Sequence, residues 1–329
     1  MKPRPNTSSA LPALLAALPG LLALSCAAAQ PSHVAWRIPG ALIAGRDGRA
    51  YVQDYASPSL SLSRLALPEG KRLWTAETVG QLDPSCAYAD ALVTAADGQA
   101  QALDPETGRE LWRMAADELA GDGTPLLTCP ETGGVFYAVR VVGANGLAAF
   151  DRNSGRVLWR YAPGGYVAVA SADASRVLID RGAYSDGSLV ALDAETGAPC
   201  GIAPKEAAPA AAAEGDQRLE DPIGGVYRLL PNRALERIDP EDGAALWSVP
   251  VGVFGELLGA DEGAAYFTLL DVGPQVRTTV VAVRRRSGRP LWREDLRAAA
   301  QLVTEDASHL YFTTTSPEAG TVSVAVSKR

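Results

Sequence analysis

Residues 102–113 read A-L-D-P-E-T-G-R-E-L-W-R, and the pattern recurs along the chain. Gly108 follows Asp104 by four residues and Trp112 follows Gly108 by four. Asp151, Gly155 and Trp159 repeat that spacing, as do Asp239, Gly243 and Trp247. Asp193 and Gly197 keep the first half, but Gly201 stands where the Trp would be. Arg284, Gly288 and Trp292 keep the second half, and Gly70 with Trp74 does the same. Trp36 has the local match alone, Ala-Trp-Arg-Ile-Pro-Gly beside Leu-Trp-Arg-Tyr-Ala-Pro-Gly at Leu158. All six tryptophans of the chain thus share one register, which scattered core residues would not.

Each unit reads as strand, tight turn, strand. Apolar residues alternate before the Asp with the period of a strand. The Asp carboxylate accepts backbone N–H groups two and three residues on and so nucleates the turn. The Gly supplies a positive φ, where a side chain would be strained. The return strand then ends on Leu-Trp, as expected of a hairpin with a short Gly-containing loop.

The Trp-to-Trp spacing of about 40–45 residues with four short strands is that of one propeller blade. The gap between Trp159 and Trp247 is two units, since Gly201 interrupts the series. The fold class is therefore all-β, a propeller of four-stranded blades with each Trp wedged between neighbours as a structural residue burying roughly 150–250 Å². Counting from Trp36 predicts seven blades. Residues 32–39 form a last strand with no preceding three, and the C-terminus supplies the complement at Leu302-Val303, 309–314 and 321–326. The N-terminal strand then closes the ring and removes the open edges. Residues 202–217, rich in Ala and Pro and interrupted by Pro204 and Pro209, read as a mobile surface loop. A degenerate unit hidden there would raise the count to eight.

The 329 residues carry a formal net charge of −8, with 32 Gly and 23 Pro, a globular, turn-rich composition. Residues 1–29 read as a secretory signal, with Lys2 and Arg4 before an apolar stretch, Leu11 to Leu24, too short to span a bilayer. Two endings compete. Ala27-Ala28-Ala29 before Gln30 is a small-residue cleavage site. Ala23-Leu24-Ser25-Cys26 resembles a lipobox with Cys26 as the lipidated residue, so membrane contact is expected only if Cys26 carries lipid. The domain is then 30–329, exported to the periplasm or cell envelope. An acidic chain disfavours nucleic acid as a partner. Arg284-Arg285-Arg286 and Arg293 read as solvated turn positions rather than a nucleic-acid patch.

Export places the remaining cysteines in an oxidising compartment. Cys86 and Cys129 hold matching places in consecutive units. Either they form a disulfide, leaving Cys200 free, or both are small buried residues on inner strands too far apart for a bond that needs Cα atoms within about 7 Å.

The A-x-D-x-x-T-G-x-x-x-W pattern, complete at Ala102, Asp104, Thr107, Gly108 and Trp112, resembles the quinoprotein-like (PQQ-like) β-propeller repeat family over nearly the whole mature chain. That resemblance implies the fold. For function it implies two classes, quinone-dependent alcohol dehydrogenases and non-enzymatic envelope scaffolds of the BamB type. The dehydrogenases set an adjacent cysteine pair against pyrroloquinoline quinone and an Asp base beside calcium held by oxygen ligands. No two cysteines here are adjacent, and Asp122 in Gly-Asp-Gly-Thr reads as a turn. There is no C-x-x-C-H for haem and no Gly-x-Ser-x-Gly elbow. The two histidines, His33 in a flexible start and His309 at the head of a strand, are too few for a zinc site. The sequence therefore predicts a protein-binding scaffold for envelope proteins, with no cofactor and no catalytic residues. The alternative is a dehydrogenase or sensor using pyrroloquinoline quinone and calcium in the central channel.

Overall fold

The computed structural model describes residues 32–329 apart from 47, 56–59, 97, 115–125, 132–133, 140–145, 164–166, 182–187, 205–216, 221–223, 231–233, 251–253 and 274. The expected signal segment, Cys26 and Asp122 lie outside the described residues. Short alternating segments, each followed by a turn signal, become four-stranded antiparallel sheets. Seven such sheets form a seven-bladed β-propeller. Blades one to six span 41–78, 81–114, 126–161, 168–204, 217–250 and 254–295. Blade seven takes its first three strands from Ala299–Glu305, His309–Ser316 and Gly320–Ser327, and its outer strand from Val34–Pro39. The first strands of blades seven, one, two and three touch in turn. Among the described residues no helix is long and apolar enough to cross a membrane.

The ring closes as the sequence predicts. Val34–Pro39 pairs antiparallel with Gly320–Ser327. The Ser327 N–H donates to the His33 carbonyl at 2.7 Å, and the Gly40 N–H to the Thr321 carbonyl at 2.9 Å. His33 is not part of a flexible start, because its ring stacks on Trp292 at 4.4 Å and its N–H donates to Glu294 Oε2 at 2.9 Å. The loop reading of 202–217 needs correcting at both ends. Pro199–Pro204 is the outer strand of blade four and Gln217–Glu220 the first strand of blade five. The prolines at 199 and 204 sit at the ends of that strand, where a missing N–H costs no ladder bond. Residues 205–216 lie outside the described residues.

The repeated turn behaves as its chemistry dictates. The Asp104 Oδ1 accepts the N–H groups of Glu106 (2.9 Å) and Thr107 (2.8 Å) and the Thr107 hydroxyl (2.9 Å). Asp151 and Asp193 bind Ser154 and Thr196 in the same way, and Asp239 accepts the Glu241 N–H. Gly108 and Gly197 both sit at φ +70°. A second requirement also selects glycine there: a Cβ at Gly197 would lie 2.5 Å from the ring of Trp159 in the preceding blade. The same approach recurs for Gly70 with Trp36, Gly108 with Trp74, Gly155 with Trp112 and Gly288 with Trp247. Each of these tryptophans also donates its Nε1–H across the junction, to Pro68, Pro105, Arg152, Ala194 and Arg285 in turn, at 2.7–3.1 Å. Trp and Gly of successive units are therefore one joint.

A β-bulge precedes the Trp position in every blade. Trp112 pairs with Ala102 while Glu110 pairs with Leu103, so Leu111 is the extra residue. The same bulge falls at Leu73, Leu158, Cys200, Leu246, Leu291 and Ala35. A bulge adds local twist and re-aims the next side chain. The Trp is turned toward the next blade, and the bulged residue is exposed in all seven blades. A belt of exposed leucines therefore follows the outer strands.

Candidate functional site

On the edge of the ring that carries the Asp–Gly turns, adjacent blades leave grooves. Between blades three and four the groove is about 320 Å³, lined by Tyr137, Leu158, Asp173 and Glu195 among others. Between blades six and seven it is about 700 Å³. Ring closure explains the difference. In blades one to six a tight turn joins third and outer strands, and in all but blade five its glycine lies under the Trp ring of the preceding blade. In blade seven those two strands come from opposite ends of the chain, so no turn exists. Lys328 and Arg329 stand in its place, and His33 covers Trp292.

The larger groove is lined by Tyr266, Arg284, Arg286, Leu291, Lys328 and Arg329, with Asp261 and Glu262 at one edge. Asp261 belongs to the first hairpin of blade six. Its Oδ1 accepts the N–H groups of Gly263 (2.8 Å) and Ala264 (2.9 Å), and its Oδ2 accepts the Tyr266 hydroxyl at 2.7 Å. Lys328 Nζ donates to Glu305 Oε2 at 2.8 Å and to the Asp306 carbonyl at 2.7 Å, and lies 5.4 Å from the Tyr266 ring centre. Those two groups are thus held by their neighbours. Arg284 and Arg286 are exposed, and neither side chain forms an ion pair among the described residues. Leu291, 43% exposed, adds an apolar surface beside them. Two guanidiniums beside an apolar surface can hold an acidic polypeptide segment. Among the described lining residues nothing pairs a nucleophile with a base.

A matching first-hairpin turn occurs in blade seven. Asp306 accepts the N–H groups of Ser308 and His309, the Ser308 hydroxyl and the Tyr311 hydroxyl. Burial pushes the Asp306 carboxyl up, but these bonds outweigh it and hold it down at about 2 from its ordinary 3.8. Burial likewise opposes, and bonds from Tyr266 and two N–H groups overcome it, at Asp261. The Thr107 N–H at Asp104, the Ser154 hydroxyl at Asp151 and the Thr196 hydroxyl at Asp193 lower those carboxyls as well. A carboxyl depressed in the folded state stabilises it fully above the unfolded value and loses that contribution as pH falls through the folded value. The thermal midpoint should therefore drop between about pH 4 and pH 2. Asp306→Asn, which mimics the protonated carboxyl at every pH, should lower the neutral plateau and thereby flatten that acid limb. An acid limb identical in the variant would show that the turn is not its cause.

The sequence reading singled out the Asp of the last hairpin of each blade and missed that of the first. Its signal was present: Asp261 and Asp306 are each followed by a Tyr five residues on, Tyr266 and Tyr311. The tryptophans and the Asp–Gly pairs named from sequence lie at the joints, not at a catalytic centre. Cys86 and Cys129 are joined in a disulfide with Cα atoms 5.1 Å apart, and Cys200 is free and exposed. His309 stands beside Ser308 and Tyr311, on blade seven, whereas His33 lies on Trp292 of blade six. Calcium beside a quinone needs several hard oxygen ligands. Among the described residues no three His, Cys, Asp or Glu groups are placed to hold a metal ion, so this donor set does not fit such a centre.

The repeat, the Trp–Gly joints and the seven four-stranded blades define a propeller of the PQQ-like repeat class. The family model described as outer membrane protein assembly factor BamB matches residues 41–226. An outer membrane protein assembly factor BamB from Vibrio cholerae is 31% identical over 259 residues, which cover 74% of this chain. The chain belongs to the BamB family. It spans 65% of that relative's length. Among solved structures, BamB from Moraxella catarrhalis is 16% identical, with a TM-score of 0.41 over 88% of this chain and 98% of its own. A quinohemoprotein alcohol dehydrogenase from Comamonas testosteroni is 14% identical, with a TM-score of 0.42 over 89% and 76%.

Proposed function

We propose that this protein is an exported, non-enzymatic scaffold at the cell envelope that assists assembly of outer-membrane proteins by holding a partner polypeptide on the edge of the ring carrying the Asp–Gly turns. Residues 1–29 serve as its signal, and the propeller works as one rigid domain. The observation that carries this reading is membership of the BamB family over residues 41–226. The groove between blades six and seven is the docking site it points to, since Arg284 and Arg286 have no ion-pair partner among the described residues and stand beside exposed Leu291. An acidic chain keeps nonspecific anions away by its net charge of −8, so local positive charge selects a partner by fit as well as sign.

The test is cross-linking of the tagged full chain in cells of its source, followed by capture from envelope extracts. The wild type should recover envelope polypeptides. Arg284→Glu with Arg286→Glu should reduce that recovery about tenfold, the loss of two charge-assisted contacts, with an unchanged circular dichroism spectrum. Equal recovery by the two proteins would overturn the groove as docking site. Recovery of no envelope polypeptide by the wild type would overturn the scaffold reading itself.

A further inference from the structure

Six of the seven blade junctions are wedged by a tryptophan, and the seventh, between blades four and five, has none. Within each blade a row of paired residues leads to the wedge: Tyr137, Ala149 and Trp159 in blade three, Tyr227, Arg237 and Trp247 in blade five. The corresponding row of blade four is Leu178, Ala191 and Gly201. Both aromatic positions of that row are lost at once.

The opposing wall of the junction records the loss. Elsewhere the turn glycine is buried or half-buried under a Trp ring, as at Gly108, Gly155, Gly197 and Gly288. Gly243, facing Gly201 across the junction, is exposed, and a Cβ there would meet nothing among the described residues within 4 Å. Gly201 has the same open space. The residue after the turn Asp, whose carbonyl takes the indole N–H elsewhere, is buried at Pro105 and Ala194 but exposed at Pro240. Leu178 is half-buried, whereas the tyrosines in its place in other blades are fully buried. Hydrophobic clusters bridge blades one to three, three to four, five to six, six to seven and seven to one. Among the described residues none bridges four to five.

We infer that the junction between blades four and five is a vacant tryptophan socket that binds an aromatic side chain, an indole foremost, presented by a partner polypeptide. The geometry of the filled junctions specifies the ligand. A flat ring enters over Gly243, its N–H donates to the Pro240 carbonyl, and Leu178 and Ala191 form the apolar wall. This goes beyond the scaffold reading and stands or falls apart from it, since it concerns a different junction and needs no charge.

N-acetyl-L-tryptophanamide is the probe. Burying an indole of roughly 150–250 Å² corresponds to a dissociation constant of about 1 mM. Amide spectra of isotope-labelled mature protein should show saturable shifts at Gly201 and Gly243 on titration, and no comparable response to N-acetyl-L-leucinamide. Gly201→Trp places the missing ring on the chain, at a position whose φ is not in the left-handed region and whose Cβ is unobstructed. That variant should raise the thermal midpoint and abolish the probe's shifts. Leu178→Gln, which alters the wall without filling the socket, should weaken the probe about tenfold and provides the check if Gly201→Trp does not fold. Absence of saturable shifts in the wild type, or unchanged affinity in Leu178→Gln, would overturn the assignment.

Discussion

Trp159→Ala is expected to lower the free energy of unfolding by about 4 kcal/mol, and the thermal midpoint by roughly 6 °C for a domain of this size. Trp159 is 7% exposed. Its ring lies over Gly197 of blade four and beside Tyr137 of its own blade, with ring centres 5.8 Å apart. Its Nε1–H donates to the Ala194 carbonyl at 2.9 Å. Truncation removes the ring area, opens a cavity and leaves that buried carbonyl unpaired, three costs that add in one direction. Trp159→Phe retains most of the area and should cost about 1 kcal/mol more than area alone would, through the lost hydrogen bond. Leu158→Ala is the control. Leu158 is the bulged neighbour, 38% exposed, and its loss should stay within about 0.5 kcal/mol, as for ordinary surface positions. Equal effects at 158 and 159, measured by denaturant unfolding, would refute the joint as the unit that holds blades together.

The second large effect is expected from the cross-blade disulfide. Cys86 and Cys129 are 43 residues apart and join the inner strand of blade two to the start of blade three. Closing a loop of that length restricts the unfolded chain by about 4 kcal/mol. Reduction, or Cys86→Ala with Cys129→Ala, should lower the midpoint by roughly 6 °C. The bond also supports its surroundings. Arg46 of blade one donates to the Cys129 carbonyl at 2.6 Å. Arg46 and Arg152 flank the Tyr88 ring at 5.0 and 4.1 Å, and Arg152 pairs with Asp90 at 2.8 Å. Burial pushes the Tyr88 hydroxyl up to about 12 despite both guanidiniums, so it stays neutral through the physiological range. Three blades therefore meet at this point. Thiol titration of unfolded mature protein gives the independent check: Cys200 alone should react before reduction, and Cys86 and Cys129 should join it afterwards.

Much of this architecture was legible in residues close together in the sequence. Asp104 and Gly108 make a turn whatever surrounds them, because one carboxylate satisfies nearby N–H groups and one glycine accepts a positive φ. The tryptophan register carried the count of seven and the ring closure, since a repeat that begins with one strand and ends with three has one way to complete a blade. Residues 202–204 were misread as loop because Ala and Pro obscure strand alternation in Pro199–Pro204, and the pairing that makes them a strand comes from residues 188–192. His33 was misread because its anchor, Glu294, is 261 residues away.

The sequence by itself determined the all-β class, the repeated Asp–Gly turn and the junction that would lack its wedge, because strand period, turn chemistry and the Trp–Gly spacing are local properties of the chain. Only the tertiary structure decided what those features do to one another. Gly108 and Trp74 meet because neighbouring blades stack, the bulge before each Trp exposes Leu158 and Leu291 on the outer strands, and a groove of about 700 Å³ opens where the blade is completed from both ends of the chain instead of by a turn. Those facts depend on contacts between blades and on closure of the ring, which brings Ser32 to Glu294 across 262 residues. Local preference contains no term for such distances.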